Sequence, residues 1–296
     1  MIIVITGPTG VGKTKLSIEL AKKYNAEIIN GDSVQIYRGL DIGSAKVTEE
    51  EKEGIIHYLF DIRDVTEDYS IYDYQKDCRK VIDDILKRGK NVIIVGGTGL
   101  YIKSALYDYT LNDIKNNDNQ YEGISTEELY QELINLDKDI KIDKFNRRRV
   151  VRALNYFKDN GKSISENKDG NKLLYDAIFI GLTMDNREKL YQRINDRVDK
   201  MVCNGLLDEV KAFYDRDIRT KPLLSGIGYK ELYSYLDGNI SLEEAISLIK
   251  RNSRRYAKRQ YTFFNHQFNM KWFNVNIDNF GKTIDEVCNY IDNKKY

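Results

Sequence analysis

Eight consecutive residues, Gly7-Pro8-Thr9-Gly10-Val11-Gly12-Lys13-Thr14, fit the pattern G-x-x-x-x-G-K-[ST], with an apolar strand ahead and an amphipathic helix behind. Glycines at these spacings let successive backbone N–H groups turn toward one anion, and the helix amino end adds partial positive charge. Lys13 neutralises phosphate oxygens, and the Thr14 hydroxyl can ligate Mg2+. The chemistry is the binding of a pyrophosphate-like group, whether of a nucleotide (ATP-type binding) or of another ester. An accidental glycine turn is the bland alternative, and the flanking strand and helix argue against it.

Two further residues face the same ligand. Asp32 follows a second apolar run, in Ile29-Asn30-Gly31-Asp32-Ser33-Val34-Gln35-Ile36-Tyr37, and Thr98 follows a later one, in Val95-Gly96-Gly97-Thr98-Gly99-Leu100-Tyr101. Both sit at carboxyl ends of strands, which in a doubly wound sheet open into the ligand crevice. The carboxylate there could coordinate magnesium, act as a general base or cap a turn.

These segments, with Gly39-Leu40-Asp41-Ile42-Gly43-Ser44-Ala45-Lys46 between them, resemble the tRNA dimethylallyltransferases in order and spacing. Later blocks are similar too: Arg152-Ala153-Leu154, Arg193-Ile194 through Arg197-Val198, Gly205-Leu206-Leu207-Asp208-Glu209-Val210, Ile227-Gly228-Tyr229-Lys230-Glu231 and Arg254-Arg255-Tyr256-Ala257-Lys258-Arg259-Gln260. The resemblance implies that a prenyl group passes from dimethylallyl pyrophosphate to the N6 amine of the adenine beside a tRNA anticodon. Asp32 would be the general base and Thr98 would hydrogen-bond the leaving oxygen. Gly7, Pro8, Thr9, Gly10, Val11, Gly12, Lys13 and Thr14 would bind the donor, with Thr14 on Mg2+. It also implies tRNA contacts by Asp32, Ser33, Val34 and Gln35, by Arg148, Arg149 and Arg152, by the segment 225–230, and by Lys258, Arg259 and Gln260. A carboxylate of reference pKa about 3.9 is ionised at neutral pH and ready to take the amine proton.

The basic residues fit a polyanion. Net charge is only +1, yet residues 245–277 hold seven Lys or Arg and no Asp or Glu. Lys250, Arg251, Arg254, Arg255, Lys258 and Arg259 recur at three- and four-residue steps, which on a helix makes one broad positive face. The bland reading is a solvated face, and a second cluster, Lys141, Lys144, Arg147, Arg148, Arg149 and Arg152, weakens it. Tyr256, Tyr261, Phe263 and Phe264 interleave with the charges and suit core packing better than base stacking. The chain departs from the family pattern at Phe263, where a Trp is usual, at Asn265, where an Arg is common, and at Asn146 and Asn155, where acids are usual.

The elements that must position these residues follow from periodicity. Short apolar runs at 2–6, 27–30, 58–60, 91–95 and 177–182 alternate with helical patterns at 13–24 and 72–87. This predicts an α/β fold, a P-loop NTPase-like parallel sheet flanked by helices, with a small helical insertion after a polar stretch at 112–123. The expected division is a catalytic core at 1–106, an insertion at 107–145 and a second core part at 146–296 with basic helices. That last part reads as helices at 186–203, 206–214 and 228–236 and a long one capped by Ser241. No apolar run approaches membrane-spanning length, and residues 1–6 carry no basic start or cleavage site, so a cytoplasmic location is expected; the expected oligomeric state is a monomer. Cys78, Cys203 and Cys288, far apart, favour neither a disulfide nor a zinc site. The main alternative is a P-loop kinase of small metabolites, which leaves the basic face unexplained. A nucleotide-gated RNA-binding module would leave Asp32 and Thr98 without a role.

Overall fold

The computed structural model describes residues 1–109, 111, 118–166 and 172–294. Its larger unit comprises Met1–Leu106 and Leu174–Tyr296, and its smaller one Tyr107–Leu173.

In the larger unit six strands, β1 (Ile2–Thr6), β2 (Ala26–Asn30), β3 (His57–Tyr58), β4 (Asn91–Val95), β5 (Ala177–Thr183) and β6 (Lys271–Asn274), form one sheet in the order β3-β2-β4-β1-β5-β6. Every pairing is parallel, as the α/β reading requires. All five residues of β1 and of β2 are buried, the burial expected of a sheet covered on both faces. The register pairs Ile5 and Asn30 with the same residue, Val95, so the chain leaves β1, β2 and β4 at one level. Those three exits carry the phosphate loop, Asp32 and Thr98.

Helices α1 (Lys13–Tyr24), α2 (Glu49–Lys52), α3 (Ile71–Lys87) and α4 (Gly99–Leu106) connect the first strands. Leu16 and Leu20 of α1 pack with Ile3, Ile5, Ile28 and Ile93. Strand geometry turns the alternate residues, Val4, Ile29 and Ile94, toward the opposite face. Tyr74 of α3 stacks on Tyr101 of α4 at 4.2 Å between ring centres and donates through its hydroxyl to the Asn30 carbonyl. Ser70 and Asp73 close a capping box that starts α3.

The smaller unit holds α5 (Thr126–Leu136) and α6 (Arg147–Asn160). It extends to Leu173, beyond the expected end at 145, because α6 buries Val150, Val151, Ala153 and Leu154 against Leu129 and Leu133 of α5. The second part of the core therefore begins at Leu174 rather than at 146. Asn146 caps α6 by accepting the Arg149 N–H. Part of the polar stretch at 112–123 lies outside the described residues.

After β5 the chain is helical: α7 (Arg187–Cys203), α8 (Leu206–Tyr214), α9 (Lys221–Ser225), α10 (Tyr229–Leu236) and α11 (Leu242–Gln267) precede β6, and α12 (Phe280–Lys294) follows it. Val287 and Ile291 of α12 and Ile194 of α7 join the cluster around α1. Ser241 starts α11 by accepting the Glu244 N–H at 3.1 Å. The third strand is His57–Tyr58 rather than 58–60, and β6, Lys-Trp-Phe-Asn, was not anticipated. Both lie at sheet edges, where burial on one side only leaves no long apolar run to read.

Candidate active site

The phosphate loop bends through three left-handed glycines, Gly7 at φ 139°, Gly10 at 85° and Gly12 at 93°. A Cβ on Gly7 would stand 2.3 Å from the Leu182 carbonyl oxygen, so β5 packs directly on the loop's start. Lys13, first residue of α1, folds its ammonium back over the loop and donates to the carbonyls of Gly7 (3.0 Å) and Pro8 (2.9 Å). Burial, then the nearby Arg197 guanidinium, pull the Lys13 pKa down to about 7, while Asp32 works the other way. A desolvated cation at a helix amino terminus is a waiting counter-charge for a diphosphate. Thr14 lies exposed in the first turn of α1.

Asp32 is half-buried at the end of β2. Its Oδ1 accepts the Val34 N–H at 2.9 Å, and its Oδ2 would be 3.5 Å from a Cβ on Gly97. Burial raises its pKa above the usual carboxylate value, against the pull of the Val34 N–H, Lys13, Arg197 and the Gln35 N–H. Among the described residues Asp32 makes no ion pair within 4.0 Å, so its charge is not consumed by a structural partner. The field that acts on it comes from the phosphate-loop lysine and Arg197, which places carboxylate and anion cradle in one electrostatic neighbourhood.

Thr98 is stitched to the same loop. Its Oγ1 accepts the Ser33 N–H at 3.0 Å and donates to Ser33 Oγ at 3.2 Å, and its own N–H donates to the Gly31 carbonyl at 3.0 Å. Gly96 permits this closeness, since a Cβ there would lie 2.1 Å from the Gly31 carbonyl carbon. The acid and the hydroxyl are thus held by a backbone-to-backbone contact that any side chain would break.

Not every expected residue faces outward. Arg148, Arg149 and Arg152 are exposed on α6 of the smaller unit, whereas Arg147 donates to the carbonyls of Ile124 and Tyr121. Arg255, Lys258 and Arg259 are exposed on α11. Lys250 instead pairs with Asp199 at 2.6 Å and Arg254 donates to Asn195 Oδ1 at 2.6 Å, so α7 occupies part of the face expected to be wholly free. Gln35 donates to the Ser44 carbonyl at 3.0 Å and Ser33 binds Thr98. Gln260, expected on the RNA surface, is 4% exposed; its side-chain amide accepts the Thr9 N–H and donates to the Gly97 carbonyl, which fixes it inside the site's wall.

Arg193 and Arg197 carry no role that the sequence alone discloses. In the structure Arg193 Nε donates to the Gly10 carbonyl at 3.0 Å, and Arg197, half-buried, acts on both Lys13 and Asp32. The available signal was their four-residue spacing, which puts both on one side of α7.

The family model described as IPP transferase matches residues 35–267. The tRNA dimethylallyltransferase of Anoxybacillus flavithermus is 49% identical over 301 residues, covering 99% of this chain and 96% of that protein. Among solved structures, the full-length tRNA isopentenylpyrophosphate transferase of Bacillus halodurans aligns with a TM-score of 0.77 at 45% identity, over 99% of this chain and 96% of that one. A eukaryotic dimethylallyltransferase acting on tRNA aligns with a TM-score of 0.80 at 33% identity, over 92% of this chain and 73% of that one. The chain, with its phosphate loop, half-buried carboxylate and threonine at three level strand ends, therefore belongs to the IPP transferase family.

Proposed function

We propose that this chain transfers the dimethylallyl group of dimethylallyl pyrophosphate to the N6 amine of the adenine next to the anticodon of a tRNA. The observation that carries the reading is that β2, β4 and β1, neighbours in that order, end at one level, so Asp32, Thr98 and the phosphate loop with Lys13 leave the sheet side by side and a base and an anion cradle flank one threonine loop.

In the reaction the N6 lone pair forms a bond to C1 of the prenyl group as the bond from C1 to the pyrophosphate oxygen breaks. The N6 proton passes to the Asp32 carboxylate, and pyrophosphate leaves with the bonding electrons. An exocyclic adenine amine is a poor base, and its proton becomes acidic only as the new C–N bond forms, so proton transfer belongs late in the step. Charge grows on the departing oxygens, where Lys13, the loop amides, Arg197 and the Thr98 hydroxyl stabilise the transition state more than the ground state. Thr98 meets this role by turning its proton from Ser33 Oγ to the leaving oxygen.

Mg2+ fits the residues present. Thr14 offers an exposed hydroxyl beside the loop, and the described residues hold no cluster of three His, Cys, Asp or Glu. A magnesium ion would therefore be held by Thr14 and the donor's own phosphate oxygens, the usual arrangement for this cation. When bound it supplies charge neutralisation of the leaving group.

The tRNA is gripped by the exposed cations of α11 and by Arg148, Arg149 and Arg152, and the target adenine leaves its stack to reach Asp32, at a cost of a few kcal/mol. No helix among the described residues is long and apolar enough to cross a membrane. We further propose a cytoplasmic monomer. The test is incubation with labelled dimethylallyl pyrophosphate, Mg2+ and unmodified tRNA, with ATP plus small acceptors as the control. Label in tRNA is expected; phosphoryl transfer to a small acceptor instead would establish the kinase alternative.

A further inference from the structure

We propose that Gln260 is a positioning residue, whose side-chain amide sets the gap between the phosphate loop and Thr98 and so aligns the donor with its leaving-oxygen contact. The inference rests on the prenyl-transfer reading above. Its basis is a bridge between two loops far apart in sequence. Gln260 Oε1 accepts the Thr9 N–H at 3.0 Å while Nε2 donates to the Gly97 carbonyl at 3.1 Å. The amide orientation is dictated by its partners, because an N–H needs an acceptor and a carbonyl needs a donor.

The surroundings are shaped for this contact. A Cβ on Gly97 would lie 2.1 Å from Gln260 Nε2, so only glycine lets the amide reach that carbonyl. Tyr256, one turn earlier on α11, also donates to the Gly97 carbonyl, at 3.2 Å. Phe263, nearly one turn later, lies where a Cβ on Gly99 would be 2.2 Å from its ring. Tyr256, Gln260 and Phe263 stand at i, i+4 and i+7, one stripe of a helix, and that stripe backs the whole of Gly97-Thr98-Gly99. The same helix exposes Arg255, Lys258 and Arg259. The Phe at 263, a smaller ring than the usual Trp, therefore bears on the threonine loop.

Of the three contacts only the Gln260 amide touches both loops. Misplacing a reacting group by about 1 Å can cost on the order of 100-fold in rate, so a bridge between donor loop and Thr98 acts on kcat and on the seating of the diphosphate, not on tRNA affinity.

The test uses the full chain with Gln260→Met, which keeps length and removes both hydrogen bonds, alone and combined with Thr98→Ala. Turnover is measured at saturating tRNA and donor, together with tRNA affinity, affinity for inorganic pyrophosphate and the thermal midpoint. The expected result is a fall in kcat of roughly 30- to 100-fold, with tRNA affinity within about twofold of wild type, as for a group whose amide is engaged by the Thr9 N–H and the Gly97 carbonyl. The double variant should be no more than about threefold slower than Thr98→Ala alone, because Gln260 acts through that residue. A kcat within about threefold of wild type, a loss explained by weaker tRNA binding, or losses that multiply in the double variant would overturn the proposal. A wild-type chain without prenyl transfer would instead remove the underlying reading, and pyrophosphate affinity then decides: about tenfold weakening in Gln260→Met supports the bridge, and no change refutes it. If Gln260→Met does not fold, Gly97→Ala attacks the same contact from the other side and should show the same kcat loss at unchanged tRNA affinity.

Discussion

The N–H of Ser33 donates to Thr98 Oγ1 at 3.0 Å, which ties the residue beside the acid to the threonine on a different strand exit. With the Gly31–Gly96 backbone contact, this makes Asp32 and Thr98 parts of one rigid ledge. A base and a leaving-group contact on one ledge keep their separation when substrate arrives, which is the preorganisation a displacement along a single line requires.

Thr98 should be needed for its hydroxyl alone. Thr98→Ala is expected to lower kcat by roughly 10- to 1,000-fold, the scale of losing one oriented donor to a developing oxyanion. Thr98→Ser should recover most of that loss, measured by steady-state turnover at saturating substrates. Equal damage in both variants would assign Thr98 to packing.

Lys13 should carry donor binding. Lys13→Ala is expected to weaken pyrophosphate and donor affinity and to slow the chemical step, read by equilibrium binding and single-turnover kinetics. An unchanged donor affinity would show that the loop holds no diphosphate.

The same lysine predicts a pH dependence of binding. Its pKa is about 7 in the free chain, and a bound anion favours the ammonium and raises it. Donor affinity should therefore be flat below pH 7 and decline above it, with proton uptake on binding visible in buffers of different ionisation enthalpy. Flat affinity from pH 6 to pH 9 would contradict the assignment.

On the acid side, catalysis needs Asp32 unprotonated. Burial lifts its pKa above the ordinary 3.8, so the acid limb of the kcat profile should begin above that pH, with rate falling about tenfold per unit below the limb. Asp32→Glu should move the limb if the carboxylate is the titrating group.

Arg255 and Arg259 should contribute long-range charge to tRNA binding. Replacing both with Gln is expected to flatten the log–log salt dependence of affinity by up to about 0.7 to 0.9 per lost phosphate contact. An unchanged slope would mean that these side chains only meet solvent.

The core of the site was legible because its signals are local. The glycine spacing of the phosphate loop and the apolar runs that place Asp32 and Thr98 each lie within ten residues of sequence, and the sheet's burial makes those runs continuous. The burial of Gln260 is not legible in the sequence, because a helical residue's partners depend on which face packs inward, and a run of cations hides the inward stripe. The pairing of Lys250 and Arg254 is hidden for the same reason: Asp199 and Asn195 that hold them lie on another helix, invisible to a local charge count. The extent of the smaller unit, to Leu173, depends on α6 finding its apolar partner in α5, a tertiary choice that composition does not announce.

The most direct test of the central claim, that Asp32 takes the proton from an amine attacking a donor held by the phosphate loop, is single-turnover prenyl transfer by Asp32→Ala with tRNA affinity measured alongside. The expected result is a rate loss of at least about 100- to 10,000-fold with tRNA binding nearly intact. Transfer at the wild-type rate, or a loss that disappears once weaker tRNA binding is saturated, would contradict it.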